Sequence, residues 1–131
     1  MGLSNADVIR DQIAATNERD WDRVMSLYAK DVVLVIHGGG LRSGTYEGRD
    51  AVGRWFGDWF GTFDKDAHFD ITEIDEREDG SVLLTADHHA RGRGSGVEVE
   101  GKVIWLYRLR EGKIVGVEGS TSLDSREDLG L

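Results

Sequence analysis

The sequence contains no cysteine and no proline, so two common means of constraining a chain are absent. Without cysteine, disulfide bonds and thiolate metal sites are excluded. Without proline, the turns depend on glycine, of which there are 18, and tight hairpins are expected. The chain also lacks any run approaching the roughly 18 apolar residues of a membrane helix, and its N-terminus lacks the apolar run of a signal peptide. We therefore expect a cytoplasmic protein.

Positive charge is scarce: 16 lysine and arginine residues stand against 25 aspartate and glutamate residues, giving a formal net charge of −9 at pH 7. Such an acidic chain is poorly suited to nucleic-acid phosphates or to anionic membrane surfaces, so neither is expected as a partner. Hydrophobic residues make up 39% of the chain and include four tryptophans. This composition can form the core of a single domain over residues 1–131.

Helical periodicity dominates the first half of the chain. Ser4 is a candidate N-cap for a helix that ends near Asn17. Asp20 is a candidate cap for a second helix, whose apolar stripe ends at Tyr28. A third helix is predicted over residues 50–63, and its apolar stripe consists of Val52, Trp55, Phe56, Trp59, Phe60 and Phe63.

The second half of the chain has the patterns of β-strands and hairpins. Asp79-Gly80 and Glu111-Gly112 are hairpin signals. Residues 38–48 are expected to form a glycine-rich loop. Three helices followed by strands predict an α+β domain, with an antiparallel sheet packed on three N-terminal helices. The predicted strands cover residues 32–37, 68–78, 81–91, 97–109 and 113–121.

The strand over residues 97–109 has two different faces because side chains alternate along a strand. The face expected to meet the helices consists of Val99, Gly101, Val103, Trp105 and Tyr107. The other face is also partly apolar and needs a cover. A homodimer formed through this outer face would bury Ile104, Leu106, Val82 and Leu84.

Asp87 and His89 are the candidate catalytic pair. They lie two residues apart in a predicted strand and therefore share one face. In such a pair His89 would be the general base and Asp87 would orient it. On apolarity alone, however, the opposite side of this strand belongs to the core, which would turn both residues outward and leave His88 as the inward candidate.

No metal or cofactor is expected. Asp87, His88 and His89 cannot all point at one ion from a regular strand, and no second pair of His and Asp has a recognised ligand spacing. The glycines at 38–40 lack the Lys-Ser/Thr of a phosphate loop, and those at 92–96 precede a strand rather than the helix of a dinucleotide site.

Four stretches, residues 17–33, 44–52, 110–115 and 126–131, resemble the nuclear transport factor 2-like superfamily, which includes ketosteroid isomerases, limonene epoxide hydrolases and SnoaL-like polyketide cyclases. The resemblance implies a cone-shaped curved sheet around an apolar pocket, a small apolar ligand and dimerisation through the outer sheet face. It also implies that Asp87 and His89 face the pocket. The candidate ligand-binding residues are Tyr28, Leu34, Trp55, Trp59, Phe63, Val103, Trp105 and Val117.

The catalytic residues of these relatives are not all present in the chain. Gly119 occupies the position of the cyclases' catalytic aspartate. Ile36 matches the general base of the ketosteroid isomerases, and their oxyanion-hole tyrosine falls near Gln12. The expected function is therefore a pocket for a small hydrophobic molecule. The protein would then be a cofactor-free acid–base enzyme of isomerase, cyclase or dehydratase type. The alternatives are a non-catalytic module that binds an apolar metabolite and a dimeric protein-interaction subunit.

Overall fold

The computed structural model describes residues 4–37, 44–62, 67–91 and 98–120, and the α+β class is confirmed within them. The predicted pocket residue Phe63 and the last of the four resembling stretches lie outside these residues. No described helix is both long and apolar enough to cross a bilayer. The elements are α1 (Asn5–Asn17), α2 (Trp21–Ser26), β1 (Tyr28–Ile36), β2 (Gly44–Glu47), α3 (Arg49–Thr62), β3 (His68–Glu76), β4 (Val82–Arg91), β5 (Glu98–Arg110) and β6 (Lys113–Ser120).

Two helices begin at the predicted capping side chains. The Ser4 hydroxyl accepts a hydrogen bond from the backbone N–H of Asp7 at 3.1 Å, and the Asp20 carboxylate does the same for Arg23 at 3.3 Å. Helix α2 is shorter than predicted, because Tyr28 begins β1 and pairs with β6 instead of closing the helical stripe. Its side chain is nevertheless buried.

All six strands form one sheet in the order β2-β1-β6-β5-β4-β3. Neighbouring strands are antiparallel except β1 and β6, which are parallel. Strand β2, which lies within the predicted loop, pairs with β1 at the edge of the sheet. Register shifts interrupt the β3–β4 and β5–β6 pairings, and such bulges bend and twist a sheet. The sheet curves accordingly, as the cone-shaped fold requires.

Glycine forms the predicted hairpin turns. Glu111 and Gly112 have φ angles of 51° and 76°, the positive pair found in two-residue type I′ turns, and they join β5 to β6. Gly80 has a φ of 85°, and its carbonyl oxygen accepts a hydrogen bond from the Asn5 side chain at 2.8 Å. That bond connects the β3–β4 hairpin to α1.

Cross-strand register decides which residues of β4 enter the core. Val82 lies directly opposite Tyr107, and Leu84 lies opposite Trp105. Directly opposed residues project to the same face, so all four belong to the main core between the sheet and the helices. The prediction that a second subunit buries Val82 and Leu84 is therefore wrong.

The outer face of the sheet carries a separate apolar cluster of Leu83, Ile104 and Leu106. On β4 the outer-face member of this cluster is Leu83, and not Val82 or Leu84 as predicted. The exposed fractions of the three side chains are only 3–6%.

Candidate functional site

Aromatic side chains from α3 and the strands fill the inner face of the sheet. Trp55 and Trp59, one helical turn apart on α3, stack with ring centroids 5.5 Å apart. Trp105 on β5 lies 5.5 Å from Phe69 on β3. Trp59 is only half-buried and packs against the edge of this core. The predicted ligand-binding residues that the structure places in the core are Tyr28, Leu34, Trp55, Val103, Trp105 and Val117.

His88 is the histidine that enters this aromatic interior. Its imidazole stacks on Phe69 with centroids 4.7 Å apart and lies 5.4 Å from the ring of Trp59. Only 4% of the residue is exposed. Burial, with smaller electrostatic contributions from His89, His68 and Arg19, lowers the pKa of His88 from 6.5 to about 4. The imidazole is therefore neutral near pH 7 and offers one hydrogen-bond donor and one acceptor.

Asp87 and His89 lie on the opposite face from His88, so the expectation that they face the interior is wrong. An Asp87 carboxylate oxygen is 3.2 Å from the Lys102 ammonium, and the His89 Nε2 is 3.3 Å from a carboxylate oxygen of Asp70. The cause is strand parity: Ala86 opposes Val103, and a shift of one residue turns every side chain to the other face. The prediction that Asp87 and His89 are catalytic required them to face the interior, and they do not.

Beside His88, at the exposed residue Gly101 of β5, the inner face of the sheet is open to solvent. Gly101 is the direct partner of His88 in the β4–β5 register. A β-carbon at Gly101 would meet no atom of the described residues within 4 Å. A ligand atom could thus approach the imidazole from the position that a larger residue would occupy.

At Gly119, by contrast, the indole of Trp105 occupies the space above the backbone. A β-carbon there would lie 2.7 Å from both Cδ1 and Nε1 of Trp105, and 3.2 Å from Cδ1 of Ile36. A catalytic aspartate at this position, as in the cyclases that the sequence resembles, is incompatible with the observed tryptophan.

A network of buried hydrogen bonds connects α1 to β5 in another part of the core. The Tyr107 hydroxyl donates to Oε1 of Gln12 at 3.1 Å, and Nε2 of Gln12 donates to the Thr16 hydroxyl at 2.9 Å. That hydroxyl donates in turn to the Gln12 carbonyl at 2.8 Å. Full burial raises the pKa of both Tyr107 and Tyr28 well above 10. These phenols stay protonated, and the bonded partners indicate a structural role for Gln12.

A further cluster on the outer face, which was not predicted from the sequence, is formed by His68, Asp70 and His89. His68 is directly opposite His89 across the β3–β4 pairing, and Asp70 is opposite Asp87. The sequence signal was the repeated spacing of two residues in His68-Phe-Asp70 and Asp87-His-His89, on two strands joined by the predicted hairpin. Pairing the two strands in register would have predicted the cluster.

The family model of the SnoaL-like domain matches residues 9–117. No curated protein matches the sequence at a significant level.

Solved structures share the fold at low sequence identity. An NTF2-like protein from Burkholderia thailandensis E264 is 21% identical with a TM-score of 0.81, over 99% of each chain. RV0760c from Mycobacterium tuberculosis, in complex with estradiol-17beta-hemisuccinate, is 20% identical with a TM-score of 0.80, over 93% of this chain and 97% of that one. TerC, co-crystallized with polyporic acid, is 18% identical with a TM-score of 0.79, over 97% and 98%. These similarities show the fold.

Proposed function

Because the chain belongs to the SnoaL-like domain family, we propose that its interior binds a small, flat and mainly apolar molecule that carries a polar group. The observation that carries the proposal is His88, a buried imidazole among aromatic rings with open space beside it at Gly101. Apolar walls with one or a few polar groups are typical of small-molecule sites. The rings of Trp59 and Phe69 would favour a flat ligand.

The neutral imidazole supplies the polar contact. It would donate or accept one hydrogen bond to a hydroxyl or carbonyl group of the ligand. Two neighbours in fold were solved with molecules that combine rings and oxygen groups, namely estradiol-17beta-hemisuccinate and polyporic acid. These compounds are therefore suitable first probes.

The properties of His88 favour a binding site over an acid–base active site. An effective general base has a pKa close to the working pH. The pKa of about 4 makes His88 a poor match for proton abstraction near pH 7. Asp87 and His89 are on the other face and cannot assist it there.

The test is calorimetric titration of the protein with polyporic acid and with estradiol-17beta-hemisuccinate. Gly101→Leu fills the space beside His88 and should weaken binding by about tenfold or more. His88→Phe keeps the ring and removes the hydrogen-bonding atoms, which should weaken binding by about two- to tenfold. Lys102→Leu is the matched control, because it places the same side chain on the outer face of the same strand.

The control should bind like the wild type. If neither probe binds the wild-type protein, the proposal is wrong. Equal affinity for the wild type and Gly101→Leu would contradict it as well.

The homodimer through the outer face stays a prediction. Leu83, Ile104 and Leu106 are already only 3–6% exposed within the single chain, so a partner would have to contact the residues around this cluster. Sedimentation equilibrium tests it, and a purely monomeric protein at high concentration would rule out this mode of assembly.

A further inference from the structure

Two imidazoles and a carboxylate converge on the outer face of the β3–β4 hairpin. His68 and His89 are directly opposed, and their rings stack with centroids 5.1 Å apart. Asp70 follows His68 by two residues and projects to the same face. One carboxylate oxygen of Asp70 lies 3.5 Å from Nε2 of His68 and 3.3 Å from Nε2 of His89.

We propose that His68, Asp70 and His89 form a Zn²⁺ site. Three protein ligands and one open position for water are the usual arrangement of an accessible zinc site. Zinc–nitrogen and zinc–oxygen bonds of about 2.0–2.1 Å place neighbouring ligand atoms of a tetrahedron about 3.3 Å apart. The two measured separations from the Asp70 oxygen agree with this spacing.

The distance between the candidate nitrogen ligands of His68 and His89 is also compatible with a shared ion. The candidate ligand atoms of the three residues all lie within 4.8 Å of one another. The side chains of His68 and His89 are 45% and 37% exposed, so their rings have room to rotate towards a shared ion. The ligands come from two paired strands, which fixes their backbones relative to one another.

The donor chemistry favours zinc over the hard cations. Imidazole nitrogen suits Zn²⁺, Cu²⁺ and Ni²⁺, whereas Ca²⁺ and Mg²⁺ prefer sites made entirely of oxygen. The neighbouring Asp87 is engaged by Lys102 at 3.2 Å, whereas an oxygen of the Asp70 carboxylate faces both imidazoles. The net charge of −9 also favours accumulation of cations near the protein.

This site is independent of the proposed ligand-binding interior, because it lies on the opposite face of the sheet. An ion bound there would link the edge strand β3 to β4 and stabilise their pairing. Ligand binding at His88 and metal binding at His89 can therefore be tested separately.

The test is calorimetric titration of the metal-free full chain with ZnCl₂, together with thermal unfolding in the presence and absence of Zn²⁺. The wild type should bind one ion per chain, and its Tm should rise by about 5–10 °C at a concentration about a hundredfold above Kd. His68→Ala, His89→Ala and Asp70→Asn should each lower the affinity by about tenfold or more, because loss of even an indirect contact to a metal has that effect.

Two control variants separate coordination from charge and histidine content. Asp75→Asn removes the same charge from an exposed position on the same strand, and His37→Ala removes a histidine elsewhere. Both should bind Zn²⁺ like the wild type. If Asp70→Asn and Asp75→Asn have the same affinity, or if the wild type shows only weak binding that does not saturate, the zinc site is refuted.

Discussion

His88 stacks on Phe69, its direct partner across the β3–β4 pairing, with the two ring planes 23° apart. The backbone of Phe69 is held in turn by Asn17 at the end of α1. The Asn17 side chain donates to the Phe69 carbonyl and accepts from the Phe69 N–H, both at 2.9 Å. The position of the buried imidazole is thus connected to the first helix through one residue.

Substitution of His88 should separate its volume from its polarity. His88→Ala leaves a cavity among aromatic rings and should reduce the free energy of unfolding by about 2–4 kcal/mol. His88→Phe keeps a planar ring of somewhat larger volume at this position and should change the free energy of unfolding by less than about 1.5 kcal/mol. Urea unfolding measures both. Equal destabilisation by the two variants would mean that the imidazole nitrogen atoms, rather than packing, hold this position.

Asn17→Asp should destabilise the junction between α1 and β3. The substitution replaces the N–H₂ donor with a carboxylate oxygen opposite the Phe69 carbonyl, so one hydrogen bond is lost and two oxygens face each other. We expect a loss of about 1–3 kcal/mol in urea unfolding. The control is Asp7→Asn, which exchanges the same two residue types in the opposite direction at an exposed position of the same helix. A larger loss of stability for Asp7→Asn than for Asn17→Asp would contradict the assigned role of Asn17.

Gly119→Ala should destabilise the fold because its β-carbon would collide with Trp105. The expected loss is about 1–3 kcal/mol, typical of an overpacked core. Gly116→Ala on the same strand is the control, since its β-carbon would make an ordinary contact 3.7 Å from Cβ of Arg108. Combining Gly119→Ala with Trp105→Phe should give less than the sum of the single effects. Additive losses would show that the two residues do not compete for space.

Tyr107 and Gln12 should be energetically coupled. Tyr107→Phe leaves Oε1 of Gln12 without its donor, and Gln12→Leu removes the acceptor of the tyrosine hydroxyl. Each should reduce stability by about 1–3 kcal/mol, because a buried polar group is left unsatisfied. A double-mutant cycle should yield a coupling of at least about 0.5 kcal/mol. A coupling near zero would mean that this hydrogen bond contributes nothing measurable.

The Asp79 carboxylate should make stability depend on acid pH. Hydrogen bonds from the Ser81 hydroxyl and the Ser81 N–H lower the pKa of Asp79 below 3.8 in the folded state. Because the folded pKa is the lower one, this stabilisation is complete above the unfolded pKa and is lost as the pH falls through the folded pKa. The stability difference between wild type and Asp79→Asn should therefore shrink below about pH 4. In a Ser81→Ala background this pH dependence should diminish, and an unchanged dependence would argue against the assigned bonds.

Much of the fold could be predicted from local sequence patterns. The caps at Ser4 and Asp20 start two helices, and the glycine turns at residues 80 and 112 close two hairpins. Strict alternation in β5 identified Val103, Trp105 and Tyr107 as core residues. In each case the decisive interaction lies within a few residues of the signal.

The sequence by itself determined the α+β class, the family and the apolar character of the interior, because periodicity and caps act over short distances. Only the tertiary structure decided which histidine faces that interior. Strand β4 carries apolar residues on both sides, so its orientation depends on the register in which Ala86 opposes Val103. The β3–β4 register likewise brings His68 and Asp70 beside His89. Contacts between strands depend on this register, and the periodicity within one strand does not determine it.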